Sequence, residues 1–192
     1  MSVAAVVLAA GASSRFGSPK QLAVLEGETL LARAVRMARE AGCTPVVVVL
    51  GASADAILTG CALGGVQIVI NEDWAEGMGA SIRVGVGALR DVEGCVVMTC
   101  DMPAVTPAHL RALMGPGEVM ASSYAGRRGV PAYFPRAAFA GLLALRGDLG
   151  AREMLRAAAA TELPGGDMDV DTIEELEKSR KVFRSDDNAP RC

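Results

Sequence analysis

Four short apolar runs constrain this chain more than any other feature: Val3–Ala9, Pro45–Leu50, Val66–Ile70 and Cys95–Thr99. Each is rich in valine or isoleucine, and none alternates polar with apolar residues. That is the pattern of parallel strands covered on both faces. Helix-like segments fall between them, at about Leu30–Ala41, Ala54–Ala62 and Ala80–Leu89. In the first, Leu31, Ala34, Val35 and Ala38 follow helical spacing, and Gly42 supplies a stop. Alternation of this kind predicts an α/β fold: a single-domain, three-layer α/β/α arrangement around a mainly parallel sheet.

The second half adds smaller units. Thr106 followed by Pro107 reads as the N-cap and first-turn proline of a helix to about Met114. Val119–Tyr124 and Val130–Phe134 flank the tight Ala125–Gly129 stretch and predict a hairpin. Helices are expected at Arg136–Leu145 and Ala151–Ala160, and Thr172 with Glu175 forms the capping box of a last helix to about Arg180. The domain is expected to span residues 1–184, with a loose polar tail over 185–192.

Charge and composition exclude several functions. Lys plus Arg number 19 against 22 Asp plus Glu, a formal charge of −3. This gives no electrostatic reason to expect a nucleic acid or a membrane as partner. Aromatic residues make up 4% of the chain, which argues against a stacking platform for single-stranded bases. The one histidine, His109, excludes a multi-histidine metal site and reads as structural or solvated. The five cysteines contain no C-x-x-C pair, so buried free thiols in a reducing cytosol are the plain reading. The apolar start, Val3–Ala10, is too short to span a bilayer and lacks a basic flank, which makes a cytoplasmic protein the expectation.

Parallel sheets of this class bind ligands beyond the carboxyl ends of their strands. That rule selects the segments after Ala9, Ile70 and Cys100. The first is a loop of small residues from Ala10 to Lys20. Small residues allow close backbone approach, and successive N–H groups can cradle phosphate oxygens. Arg15 and Lys20 add two cations suited to a polyphosphate. The loop is neither a P-loop nor a Rossmann fingerprint, and by composition alone a glycine-rich surface turn fits slightly better. Asp101 directly follows a buried run, so its carboxylate lies at a strand's carboxyl end. A hard oxygen ligand there suits Mg²⁺ bridging phosphate oxygens. The bland alternative is an aspartate opening a turn before Pro103.

The order of residues adds a resemblance. Leu8-Ala9-Ala10-Gly11, then Ser14-Arg15, Gly17 and Pro19-Lys20-Gln21, closely resembles the signature loop of the MobA-like nucleotidyltransferases. The form is that of the molybdenum cofactor cytidylyltransferase branch, with Phe16 in place of its methionine. Asn71-Glu72-Asp73-Trp74 with Gly77-Met78-Gly79-Ala80-Ser81 resembles the family's second nucleotide segment. Asp101-Met102-Pro103 resembles its metal-binding D-x-P, and Gly129-Val130-Pro131 its acceptor-bordering G-x-P. Gly147-Asp148-Leu149-Gly150-Ala151-Arg152 resembles G-D-x-G-A-R, and Asp169-Val170-Asp171-Thr172 resembles D-[IV]-D-T. Six motifs in this order, from Leu8 to Thr172, are far more specific than any one of them.

The resemblance implies cytidylyl transfer from CTP to the terminal phosphate of molybdenum-bound molybdopterin. It assigns Arg15, Lys20 and Asp101 to catalysis. Leu8, Ala9, Ala10, Gly11, Ser14, Gly77 and Ser81 would line the nucleotide, and Gly129, Pro131, Asp148 and Arg152 the acceptor. Mg²⁺ would sit on Asp101 and Asp171. For Asp169, a metal role and a helix-favouring role weigh evenly. Arg152 reads equally well as an acceptor ligand or a solvated helix residue. At the expected hairpin tip, Arg127 and Arg128 read as solvated charge, and Trp74 as a packing anchor. A molybdenum hydroxylase is the implied client. The alternatives are a cytidylyltransferase for another phosphate, a nicotine-blue-type oxidoreductase and a non-catalytic molybdenum cofactor chaperone.

Overall fold

The computed structural model describes residues 2–115, 117–147 and 150–187. The apolar runs form the heart of one sheet: β1 (Ser2–Ala9), β4 (Val46–Leu50), β5 (Gln67–Ile70) and β6 (Val92–Thr99). All four run parallel, with β1 in register with β4 on one side and with β6 on the other. Alternate residues of β1 face opposite ways. Ala5, Val7 and Ala9 join one buried cluster, and Ala4, Val6 and Leu8 join the other. Two hydrophobic faces on one strand are why its sequence shows no alternation.

Helices cover both faces. They are α1 (Leu30–Glu40), α2 (Ala54–Gly60), α3 (Met78–Gly87), α4 (Pro107–Leu113), α5 (Phe139–Leu143), α6 (Arg152–Arg156) and α7 (Ile173–Asp187). Thr106 caps α4 by accepting from His109 N–H, with Pro107 in its first turn. The capping box ahead of α7 forms: Glu175 Oε2 accepts from Thr172 N–H, and Glu175 N–H donates to Thr172 Oγ1. Helix α7 continues past Arg180 to Asp187, into the stretch expected to be tail. Residues 188–192 lie outside the described residues.

The hairpin forms from β7 (Met120–Tyr124) and β8 (Arg127–Pro135), turning at Ala125-Gly126. β8 inserts antiparallel between β6 and β7, which gives the sheet order β5-β4-β1-β6-β8-β7-β9. Its pairing jumps from Ala121↔Ala132 to Ser122↔Gly129, so Val130 and cis Pro131 bulge out of the ladder.

One expected helix divides. Over Ala151–Ala160 only Arg152–Arg156 is helical, and Ala159–Glu162 is a seventh strand, β9, parallel to β7. Alanine favours helix, but β7 offers an open edge whose backbone groups need partners, and tertiary pairing overrides the propensity. The expected Arg136–Leu145 helix starts as a 3-10 turn at Arg136–Ala138 and is α-helical only over α5. A two-stranded ribbon, β2 (Val24–Leu25) with β3 (Glu28–Thr29), gave no periodic signal because it is too short to show one.

Candidate active site

A cleft of about 1040 Å³ lies over the carboxyl ends of β1 and β6 and the tip of the β7–β8 hairpin. The loop after β1 forms its floor, and buried Gln21 holds that loop. Gln21 Nε2 donates to the carbonyls of Ala9 (2.9 Å) and Gly11 (3.1 Å), and its Oε1 accepts from Ser13 Oγ (3.2 Å). Ala52 N–H occupies the Ala10 carbonyl. The carbonyls of three successive floor residues therefore already have donors. By contrast, the backbone N–H groups of Gly11, Ala12, Ser14 and Arg15 have no acceptor among the described residues. A loop with occupied acceptors and free donors is built for an anion.

Gly11 is needed neither for backbone conformation nor for packing. A Cβ there would meet no protein atom within 4 Å, so the room a side chain would take lies open to a ligand. Phe16 packs with Leu25, Leu30, Val170 and Leu176. The hydrophobic replacement in the signature loop thus ties that loop to the start of α7.

The charged centre is an interlock. Lys20 Nζ donates to Asp101 Oδ2 at 2.5 Å and to Asp171 Oδ1 at 2.6 Å, and Arg15 donates to the other Asp171 oxygen at 2.6 Å. Val170 N–H donates to the Asp101 carbonyl, which brings two distant segments together. Burial works against the Lys20 ammonium, but the charges of the two aspartates and the hydrogen bonds it donates to them outweigh it and raise its pKa. Burial also opposes the charge of Asp171, yet Lys20 and Arg15 hold its carboxyl below the usual range. Asp169 behaves differently. Burial, reinforced by the Asp101 charge, pushes it up to about 6, and its contact with Arg127 is a loose 3.9 Å. Asp171, not Asp169, thus shares a cation with Asp101.

Among the described residues no cluster of three or more His, Cys, Asp or Glu side chains could hold a metal. Asp101 and Asp171 nevertheless converge on one ammonium, and Mg²⁺ characteristically takes one or two carboxylates plus substrate phosphate oxygens. The donor set fits such an ion.

At the other side of the floor, Ser81 Oγ accepts from buried Asn71 at 3.0 Å and faces the cleft. Gly77 has φ +115°, which favours glycine, and Gly79 donates its N–H to the Gly147 carbonyl at 3.1 Å. A Cβ on Gly79 would lie 2.8 Å from that oxygen, so close approach excludes a larger residue. Trp74 is 37% exposed and lines the cleft, so it is not the packing anchor its sequence suggested. The chain enters a 3-10 turn there.

Most expected site residues meet in this cleft: Leu8, Ala9, Ala10, Gly11, Arg15, Lys20, Gly77, Ser81, Asp101, Gly129, Arg152, Asp169 and Asp171. Ser14 lines a small side pocket beside Arg15 and Lys20. Pro131 does not reach the cleft. It is buried behind the wall, its carbonyl accepting from Ser122 Oγ, because the bulge turns it inward. Asp148 lies outside the described residues. Arg127 and Arg128 border the cleft and are exposed to solvent, as charge at a hairpin tip is expected to be. His109 is buried, bonded to Ser122 Oγ at 2.8 Å, and burial lowers its pKa. Cys100 lines the cleft as an inert thiol, pushed up to about 12 by burial. Sequence reasoning gave no role to Gln21, Ser13, Asn71, Tyr124 or Arg156. Only Arg156 left a usable signal, lying four residues after Arg152 and so on the same helix face.

Comparison with known proteins agrees with this geometry. The MobA-like NTP transferase domain matches residues 5–162. The chain is 34% identical over 196 aligned residues to the nicotine blue oxidoreductase of Paenarthrobacter nicotinovorans, covering 91% of this chain and 94% of that one. It is 35% identical over 108 residues to a probable molybdenum cofactor guanylyltransferase of Opitutus terrae, covering 55% and 51%. The crystal structure of Rv0371c from Mycobacterium tuberculosis superposes with a TM-score of 0.84 at 35% identity, covering 94% of this chain and 99% of that one. A manganese complex of Rv0371c superposes at 0.78 with 32% identity over the same shares. No described helix is long and apolar enough to cross a membrane. With a loop of free N–H donors, a shared carboxylate pair and a matching domain over most of its length, the chain belongs to the MobA-like NTP transferase family and is a nucleotidyltransferase.

Proposed function

We propose that the protein transfers CMP from CTP to the terminal phosphate of molybdopterin, releasing pyrophosphate and forming molybdopterin cytosine dinucleotide. The observation that carries this reading is the Lys20–Asp101–Asp171 interlock beside a loop of free N–H donors. In the reaction an acceptor phosphate oxygen forms a bond to the α-phosphorus in line with the bond that breaks. The electron pair of that breaking bond leaves with pyrophosphate. The acceptor phosphate, with a second pKa near ~6, is already mostly ionised at neutral pH, so no general base is required. This fits a cleft in which no described histidine faces the ligand.

Arg15, Lys20 and the N–H groups of Gly11 to Arg15 hold the triphosphate and stabilise the leaving pyrophosphate. Arrival of the triphosphate gives Lys20 new anionic partners and loosens its hold on the two carboxylates. Asp101 and Asp171 would then hold Mg²⁺, which when bound withdraws charge from the α-phosphate. Asp169, on the acceptor side, stands as the weaker candidate ligand because it does not share Lys20.

Base choice follows from Ala10, Ser81 and the floor. The Ala10 methyl leaves less room for a purine than glycine would. The floor carbonyls have one lone pair each left for a cytosine amino group, and Ser81 Oγ can donate to the pyrimidine edge. Turnover with CTP, GTP and ATP, each with Mg²⁺ and molybdopterin, tests the whole reading. CTP-dependent pyrophosphate release at the highest kcat/KM supports it. A preference for GTP overturns the base assignment, and release from none of the three overturns the acceptor. The likeness to a nicotine blue oxidoreductase favours a redox activity as the second reading. Oxidation of NADPH by the purified protein, or flavin absorbance in it, would establish that reading. The expected compartment is the cytoplasm and the expected client a molybdenum hydroxylase.

A further inference from the structure

Few polar side chains are buried in this protein: among the described residues they are Gln21, Asn71, Ser81, His109, Ser122 and Ser179. Gln21, Asn71 and Ser81 serve the floor of the cleft, and Ser179 bonds to the Glu175 carbonyl within its own helix. His109 and Ser122 are left over, and neither lines the cleft. A buried polar side chain costs stability unless it is bonded, and an apolar pair of similar shape could fill the same space. The bonds these two make are therefore the guide to their role.

Both serve the bulge in β8. β7 pairs with β8 as far as Gly129 and again at Ala132, and β6 pairs with β8 only from Ala132 onward. Neither ladder reaches Val130 or Pro131, so their carbonyls depend on side chains. Tyr124 Oη donates to the Val130 carbonyl at 3.0 Å, and Ser122 Oγ donates to the Pro131 carbonyl at 2.5 Å. A hydroxyl has one proton, and Ser122 spends it on Pro131. The 2.8 Å contact between Ser122 Oγ and His109 Nε2 is then a bond that the histidine donates. Burial lowers the His109 pKa and outweighs an opposing backbone contact with Glu162, so the ring is neutral near neutral pH, with its proton on Nε2. A relay of donors thus runs from α4 through β7 to Pro131, and the residues next to Pro131, Val130 and Gly129, line the cleft.

We propose that His109 and Ser122 are positioning residues: with Tyr124 they hold the β8 bulge and so fix where Gly129 and Val130 meet the molecule that accepts the nucleotide. Bulges beside active sites re-aim side chains, and a satisfied buried polar network specifies one geometry. The inference rests on the transfer reading for what lies against this wall; the hold on the bulge stands apart from it.

The test uses the intact chain and three variants. Ser122→Ala removes the bond to Pro131, His109→Phe removes the donor behind it but keeps a ring, and His109→Gln keeps an N–H donor. Ser122→Ala and His109→Phe should each raise the KM for molybdopterin about tenfold, with kcat and calorimetric CTP affinity within about twofold of wild type. His109→Gln should recover most of that loss. In both impaired variants the amides of Gly129, Val130 and Ala132 should exchange hydrogen faster, while those of Ala9 to Arg15 keep wild-type rates. Should Ser122→Ala fail to fold, the two His109 variants carry the same comparison. An unchanged KM for molybdopterin in the folded variants overturns the proposal and leaves the transfer reading standing. An equal loss of CTP affinity overturns it too, since the whole fold would then have loosened. So does a His109→Gln variant as impaired as His109→Phe, because the donated bond would then be immaterial. If wild type transfers no CMP to molybdopterin, the transfer reading falls and hydrogen exchange alone decides the relay. Faster exchange confined to the bulge then supports it, and wild-type rates overturn it.

Discussion

The two ends of the cleft are built by opposite strategies. At the Lys20 end the charges are already answered: Lys20 by two aspartates, Asp171 by Lys20 and Arg15, and the floor carbonyls by Gln21 and Ala52. At the far end, among the described residues, Arg128, Arg152 and Arg156 make no ion pair and Arg127 reaches only Asp169, at 3.9 Å, all four carried on a hairpin tip and a short helix. The first arrangement is held in place by its own ion pairs, with Lys20 and Asp101 largely buried and Arg15 exposed. The second is surface-borne and has few carboxylates near it. The difference places the tightly paired charges of the cleft in the interlock and the loosely held ones on its far wall.

The sharpest way to break this comparison is to remove the interlock. Asp101→Ala or Lys20→Ala should lower kcat for CTP-dependent pyrophosphate release by about 100-fold or more, with the fold intact by circular dichroism. Near-full activity in folded Asp101→Ala would end the assignment. Next in size is Gln21→Leu, which strips donors from two buried or half-buried carbonyls. It should cost about 2–4 kcal/mol in denaturant unfolding and raise the KM for CTP as the floor loosens. A loss of stability with unchanged KM would show that Gln21 supports the fold and not the floor.

Gly11→Ala separates ligand space from protein space. Its Cβ would meet nothing in the protein, so the melting temperature should hold while the KM for CTP rises about tenfold. A drop in stability instead would mean that the open space is only apparent. The smallest effect concerns the acceptor side. Folding raises the Asp169 pKa from an ordinary 3.8 to about 6, so the folded state prefers the protonated form. Its penalty is absent below about pH 4, grows as pH rises toward 6 and is complete above that. Asp169→Asn should therefore stabilise the protein at pH 8 and not at pH 4. Discounted for exposure, the gain is on the order of 1 kcal/mol, or ~2–4 °C in Tm. Equal melting shifts at both pH values would show that the carboxyl is not perturbed.

Legibility divided along the same line. The parallel core could be read from β1, β4 and β6 because burial on both faces forces continuous apolar runs. The nucleotide loop could be read because its parts are contiguous from Leu8 to Gln21. The D-x-P and D-[IV]-D-T motifs pointed to Asp101 and Asp171, but not to the Lys20 ammonium lying between them. The acceptor side was read less well. Ala159–Glu162 looks helical by composition and becomes a strand only because the edge of β7 is free. Pro131 looked like a cleft residue until the bulge turned it inward, and Trp74 looked like packing until the 3-10 turn exposed it.

The sequence by itself determined the layered α/β architecture, the phosphate-directed loop and the two aspartates at strand and loop ends. These depend on local pattern: continuous apolar runs, small residues after a strand, a capping box before α7. Only the tertiary structure decided which charges meet. Lys20 lies 81 residues from Asp101 and 151 from Asp171, and Arg128 lies 28 from the Arg156 carbonyl that holds it. Electrostatic pairing falls off with distance in space and is blind to distance along the chain. No local pattern could therefore show that Lys20 meets both aspartates.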